Sequence, residues 1–214
     1  MLTDPSLAQL NQWLAQLVER RGSDLLLVAD APPYIRVDGQ VVPLDGPVLV
    51  SEEIESAVTP ALMPHALRQF LETRIADSSY RNADIGRFRI NLHHERGRAA
   101  ATIRALPKVV PFLQELHLPP TVEQLAKLPR GLVLIGGPAG SGKSTTVAAL
   151  VNEINRREAR HIVTIEDPIE YEHANIRSII EQVEIGSDAP DFPTALRAAL
   201  RQAPDVLVVR NARS

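Results

Sequence analysis

Apolar residues recur at helical spacing near the start of the chain: Leu7, Leu10, Trp13, Leu14, Leu17 and Val18, between an Asp4-Pro5 start and Gly22 as a stop. The period then changes. Ser23 to Val28 reads as a strand, and Tyr34–Val37 and Gln40–Val42 flank Asp38-Gly39, a hairpin turn signal. Ser51, followed by Glu52 and Glu53, predicts a capped helix, and a further helix is expected over Leu67–Glu72. Arg87–Asn91 alternates cleanly, and Ala101–Arg104 reads as its neighbour strand. Five prolines punctuate the passage from Pro107 to Pro129, which holds one expected short helix, Thr121–Leu128, capped by Thr121. Beyond it the pattern is strand, helix, strand, helix, strand: Leu132–Ile135, the segment after Lys143, His161–Ile165, Pro193–Arg201 and Val206–Val209. That alternation predicts an α/β fold with a parallel sheet. The expected organisation is an α+β domain over 1–106, a proline-rich linker over 107–130 and a nucleotide-binding domain over 131–214.

Composition narrows the class without naming a chemistry. Hydrophobic residues make up 44% of the 214, enough for a real core. The net charge of −3 and an aromatic content of 4% argue against a nucleic-acid motor, which needs a basic footprint and stacking platforms. The absence of cysteine excludes disulfides and thiolate metal sites. The opening residues lack a basic start and an apolar signal core, and no apolar run approaches the ~20 residues of a membrane span.

The chemistry is concentrated in Gly137-Pro138-Ala139-Gly140-Ser141-Gly142-Lys143-Ser144, which fits G-x-x-x-x-G-K-[ST] at every fixed position. Such a loop turns successive backbone N–H groups inward, and the helix that follows adds a partial positive charge at its N-terminus. A polyphosphate is the ligand this suits. Lys143 would reach the β- and γ-phosphates of ATP, and the Ser144 hydroxyl would join a Mg²⁺ shell. The strand at 161–165 runs into Glu166-Asp167-Pro168-Ile169-Glu170, three carboxylates at the end of a parallel strand, where open sheets place their chemistry.

Ser23-Asp24-Leu25, Arg36-Val37-Asp38-Gly39, Arg87 to Asn91, GGPAGSGKSTT, HIVTIEDPIEY, FPTALRAALR and Pro204-Asp205-Val206 together resemble the type II/IV secretion ATPase superfamily, most of all the retraction ATPases of type IV pili, the twitching-motility motors. The likeness spans the chain in family order. It implies a PAS-like N-terminal domain, a RecA-like ATPase domain and a homo-hexamer in the bacterial cytoplasm, set against the inner-membrane platform of a pilus or secretion machine. It also implies that Lys143, Ser144 and Thr145 belong to the phosphate loop and that Glu170 prepares the attacking water. Arg89 and Arg104 would be brought to the γ-phosphate. Leu26 departs from a histidine frequent in the family, with no consequence attached. His93 and His94 read as surface residues rather than metal ligands.

The pattern breaks after Val209. The family continues Gly-Glu-Met-Arg-Asp, whereas this chain reads Arg210-Asn211-Ala212-Arg213-Ser214, with an amide where the family has the Walker B glutamate. An amide carries no charge and takes no proton at neutral pH. Coding Gly-Glu-Met-Arg as GGC-GAA-ATG-CGC-GA and reading from the last base of the first codon gives CGA-AAT-GCG-CGA, which is Arg-Asn-Ala-Arg. The expectation is a frame slip after Val209 in a truncated RecA-like domain, with exposed apolar surface and poor solubility. Two functions follow: a motor subunit that hydrolyses ATP, or a subunit that binds nucleotide without turnover. A small-molecule P-loop kinase would need a lid and acceptor pocket that nothing here spells. Resequencing the locus should reveal a frame that resumes the family pattern downstream; a genome without such a frame contradicts the slip.

Overall fold

The computed structural model describes residues 5–211, so Asp4 and the segment Ala212–Ser214 lie outside the described residues, as does the Asn211 side chain. The chain divides into two compact units, one ending at Leu106 and the other beginning at Pro107.

In the first unit, α1 (Pro5–Glu19) is followed by β1 (Asp24–Val28), the hairpin β2 (Tyr34–Val37) and β3 (Gln40–Pro43), and the helices α2 (Ser51–Val58) and α3 (Pro64–Thr73). Three longer strands complete it: β4 (Ile75–Asn82), β5 (Gly86–Glu95) and β6 (Arg98–Ala105). The strands form one antiparallel sheet in the order β3-β2-β1-β6-β5-β4. Leu10, Leu14 and Leu17 of α1 and Ile54 of α2 share one buried cluster with Leu25, Leu27, Ile35, Phe88, Ile90 and Ile103 from the sheet. Each such side chain, fully buried, contributes about 1.5–3 kcal/mol. Asp38 and Gly39 both take positive φ, 49° and 80°, as a two-residue hairpin turn requires.

Two caps differ from expectation. Val50, not Ser51, precedes α2; the Glu53 carboxylate accepts from its amide at 2.9 Å. The Ser51 hydroxyl instead accepts from the Ala99 amide at 2.8 Å, tying α2 to β6. The strand β4 was not anticipated, because Asp77, Ser78 and Ser79 interrupt any apolar alternation; its ladder to β5 forms all the same.

The second unit opens with a short 3₁₀ turn (Leu113–Leu116) and α4 (Thr121–Leu125), which ends three residues earlier than expected and has no side-chain cap from Thr121. Then come α5 (Lys143–Arg157), β7 (His161–Asp167), β8 (Ile179–Glu184), α6 (Phe192–Ala199) and β9 (Val206–Asn211). The sheet is parallel, in the order β8-β7-β9. Val163 and Ile165 of β7 pack on Ala195 and Ala199 of α6.

Leu132–Ile135 is not a strand. No strand among the described residues pairs with it, and a segment without a ladder leaves its backbone groups to water. Leu132 and Leu134 are 82% and 83% exposed as a result. The third strand of the sheet is β8, which was not anticipated and which pairs with β7.

Phe88 is fully buried. Phe88→Ala should therefore cost about 3–5 kcal/mol of stability, read as a lower urea midpoint; a loss below about 1 kcal/mol would contradict the packing described.

Candidate functional site

Glycine sets the geometry of the loop between Gly137 and Lys143. Gly142 is left-handed (φ 85°) and serves as the N-cap of α5, with its carbonyl accepting from the Thr146 amide at 2.8 Å and the Thr146 hydroxyl at 3.0 Å. A Cβ on Gly137 would lie 2.8 Å from Ser141 Oγ and would displace that hydroxyl. By helix geometry the amides of Lys143, Ser144 and Thr145 have no carbonyl behind them. They face outward from the positive end of a 15-residue helix. Lys143 Nζ donates to the carbonyls of Gly137 (2.8 Å) and Pro138 (2.7 Å), folding over the loop that also holds Ala139 and Gly140. The lysine and the helix end thus flank one glycine loop, the setting in which a polyphosphate can be held.

The remainder of α5 is held firmly. Ala149 and Asn155 are buried, and Asn155 Nδ2 donates to the Ala174 carbonyl at 2.8 Å. Asn155 Oδ1 accepts from the amides of Ile176 (3.2 Å) and Ser178 (3.3 Å), so the strand-to-strand connection from β7 to β8 is stitched to the helix.

That connection carries the acidic segment. The Thr145 hydroxyl and the Tyr171 hydroxyl are 3.1 Å apart, joining the first turn of α5 to it. Glu166, at the end of β7, is buried; its Oε1 accepts from the Thr164 hydroxyl (2.9 Å) and Gln182 Nε2 (3.2 Å). Gln182 also donates to the Tyr171 carbonyl and accepts from the His173 amide. Arg210, on β9, places Nη1 3.2 Å from Glu166 Oε2 and Nη2 2.9 Å from Glu170 Oε1, and Nη2 also donates to the Pro168 carbonyl at 3.3 Å. Burial pushes the Glu166 carboxyl above the ordinary glutamate value, although Arg210, Thr164, Gln182 and the Glu170 amide all pull it down. Burial likewise lowers His173 to about 4, so its imidazole is neutral at pH 7. Ser144, Thr164, Glu166, Tyr171, His173 and Arg210 line one small cavity of about 10 Å³, room for about one water.

Of the residues singled out in sequence, Gly137 to Gly142 form the loop and Lys143 to Thr145 the first turn of α5, while Glu170 lies on the acidic segment with its carboxylate engaged by Arg210. Thr164, Tyr171, Gln182 and Arg210 were not anticipated as site residues. Gln182 sits on the strand whose pattern was missed, and Arg210 drew notice only as a departure from a motif. Arg89 and Arg104 belong to the first unit, directly opposite each other on β5 and β6. Arg104 Nε donates to Asp24 Oδ1 at 2.9 Å, and Arg89 lies 3.5 Å from Asp77. Asp24 is buried, which raises its carboxyl, but the Ser23 hydroxyl, Arg104 and Arg36 outweigh burial and leave it below the usual range. His94 Nε2 is 3.0 Å from Glu55 Oε1.

A phosphate-gripping loop at a helix N-terminus, with an acidic segment at the end of the next parallel strand, defines a P-loop nucleotide site in form. The chain belongs to the type II/IV secretion system protein family, whose family model matches residues 34–214. It is 36% identical over 206 residues to the type IV pilus ATPase PilU of Pseudomonas aeruginosa, covering 96% of this chain and 54% of that protein. A twitching motility protein of Neisseria gonorrhoeae is 39% identical over 182 residues, 85% of this chain and 49% of the relative. The fold superimposes on the crystal structure of the pilus retraction motor PilT with bound ADP, with TM-score 0.87 and 39% identity, over 97% of this chain and 60% of that one. The Legionella pneumophila ATPase DotB matches with TM-score 0.84 and 26% identity, over 99% and 61%. The chain spans about half the length of the curated relatives it matches.

The neutral His173 has a pH consequence. Its proton affinity is lower folded than unfolded, so the stability it permits is present above about pH 6.5 and is lost as pH falls toward about 4. Urea midpoints should show the wild type losing on the order of 2 kcal/mol more than His173→Leu across that window. Equal losses in both would contradict a buried neutral imidazole.

Proposed function

We propose that this chain binds ATP through the backbone of residues 137–145, as the nucleotide-holding part of a motor subunit of the pilus-retraction type. The observation that carries this is the left-handed Gly142 opening α5, with Lys143 folded over the loop. The likeness to a retraction motor that holds ADP supports the ligand class. In this reading Lys143 neutralises the outer phosphates and the amides of Lys143 to Thr145 hold their oxygens. The Thr145–Tyr171 contact transmits the state of the loop to the acidic segment.

The residues present fit a nucleotide but not a divalent ion beside Ser144. Magnesium takes near-octahedral oxygen ligation, whereas Glu166 and Glu170, the carboxylates at the end of β7, are already paired with the Arg210 guanidinium, which lines the same cavity as Ser144. No hydrolytic step is therefore assigned to the ion. Glu170 is the residue to prepare an attacking water, and its carboxylate is occupied by Arg210; we favour nucleotide binding without turnover for the chain as it stands.

A homo-hexameric assembly, contact with an inner-membrane platform protein and a cytoplasmic location are the setting that this reading implies. No helix among the described residues is long and apolar enough to cross a membrane. The first unit, an antiparallel sheet with its helices in one core, supports the PAS-like reading, and Arg89 and Arg104 are proposed as its contribution to the γ-phosphate.

Titration with a fluorescent ATP analogue should give saturable binding that Lys143→Ala weakens by about thirtyfold or more, equal to about 2 kcal/mol. Phosphate release should stay at the blank. Binding indifferent to Lys143 would overturn the loop assignment, and sustained turnover would restore the hydrolysing motor.

A further inference from the structure

Arg210 is the group in the second unit whose placement the nucleotide-binding reading leaves unexplained. Its side chain is 12% exposed, yet it carries a full charge. Burying a guanidinium is costly unless its hydrogens are met by acceptors in good geometry. Here its two terminal nitrogens are met by a hydrogen bond to the Pro168 carbonyl at 3.3 Å and by ion pairs with Glu166 at 3.2 Å and Glu170 at 2.9 Å, while Nε is buried without a partner. The planar fork of arginine suits this span between two separate carboxylates; a lysine, as a single point charge, does not. Both carboxylates belong to the segment that Thr145–Tyr171 ties to the first turn of α5, and the guanidinium lines the same cavity as Ser144.

Two carboxylates, one at the end of β7 and the other four residues on, carry a charge of −2 that would attract a divalent cation arriving with nucleotide. With the guanidinium between them the trio carries −1. A metal ion beside Ser144 would then meet repulsion from Arg210 and carboxylates that are already paired with it. The nucleotide phosphates meet the amides and Lys143 whether or not a metal accompanies them.

We propose that Arg210 sets the metal dependence of this chain: it occupies Glu166 and Glu170 in place of a divalent ion, so that the loop takes metal-free nucleotide nearly as well as the magnesium complex. This rests on the nucleotide-binding reading above. The role is one of specificity between two forms of the same ligand, and it is exerted through the two carboxylates rather than by contact with the phosphates.

The test uses the full chain and a fluorescent ATP analogue titrated in magnesium and, separately, in EDTA. For the wild type the two dissociation constants should agree within about threefold, and in Arg210→Gln magnesium should tighten binding by about tenfold or more. Arg210→Lys, which keeps a charge but pairs only one carboxylate, should fall between them, and it carries the test if Arg210→Gln does not fold. A thermal melt without nucleotide supplies an independent reading: the Glu170→Gln loss seen with Arg210 present should shrink by at least about half in the Arg210→Gln background. If magnesium tightens the wild type as strongly as the variants, or the variants show no added magnesium effect, the proposal fails while Lys143-dependent binding still stands. If no Lys143-dependent binding is seen in either buffer, the nucleotide reading fails and the proposal fails with it.

Discussion

A left-handed backbone at Gly142 is the constraint on which the chemistry of the second unit depends. It ends the loop and begins α5 in a single residue, so that the first amides of the helix point into open space rather than at carbonyls. Any residue with a Cβ would resist that φ of 85° and shift the helix start. The amides are useful only if they stay put, and α5 is held at its far end by Asn155, buried and bonded to three backbone groups of the β7–β8 connection. Arg156 and Arg157 in the last turn complement the negative end of the same helix dipole. Asn155 thus fixes one end of the helix whose other end, in the proposed reading, meets the phosphates.

The acidic segment follows a different logic. Glu166 is buried, and its charge is tolerated because a hydroxyl, an amide side chain, a backbone N–H and a guanidinium surround it. Burial still dominates, which is why its carboxyl stands above the ordinary value despite these partners. Such a network specifies one arrangement of Tyr171, Gln182 and Arg210 more than it adds stability, since a buried ion pair gains little over well-packed apolar groups. The outcome is two neighbouring parts: an open glycine loop running into α5 over 137–145, and two carboxylates, Glu166 and Glu170, that share one guanidinium.

The elements most legible in the sequence were those whose local signals and tertiary setting agree. The α1 stripe and β5 carry a clear periodicity, and the Asp38-Gly39 hairpin and the glycine loop carry residue types suited to positive φ. The failures have physical causes. Leu132–Ile135 has the composition of a buried strand, but composition cannot supply the neighbour that a strand needs, and none of the described strands lies beside it. The strand β4 lies at an edge of the sheet, with Asp77 exposed and Ser78 buried but satisfied by the Met63 amide, so it needs no apolar alternation. Ser51 looked like a helix cap because serine usually is one; its hydroxyl was claimed by the Ala99 amide, a partner 48 residues away. In the site, Lys143 and the glycines were readable because a motif fixes their spacing. Arg210 was not, because its meaning comes from two carboxylates some forty residues earlier that the parallel pairing of β7 and β9 brings alongside.

The central claim is that main-chain amides, more than side chains, hold the ligand. Nuclear magnetic resonance of ¹⁵N-labelled protein tests it directly, because a phosphate oxygen moves the resonance of any amide it accepts from. Addition of ATP should shift the amides of Gly140, Gly142, Lys143, Ser144 and Thr145 downfield together, with saturation at one common ligand concentration. Shifts confined to residues outside 137–146, or none in that segment while ATP is demonstrably bound, would contradict the account.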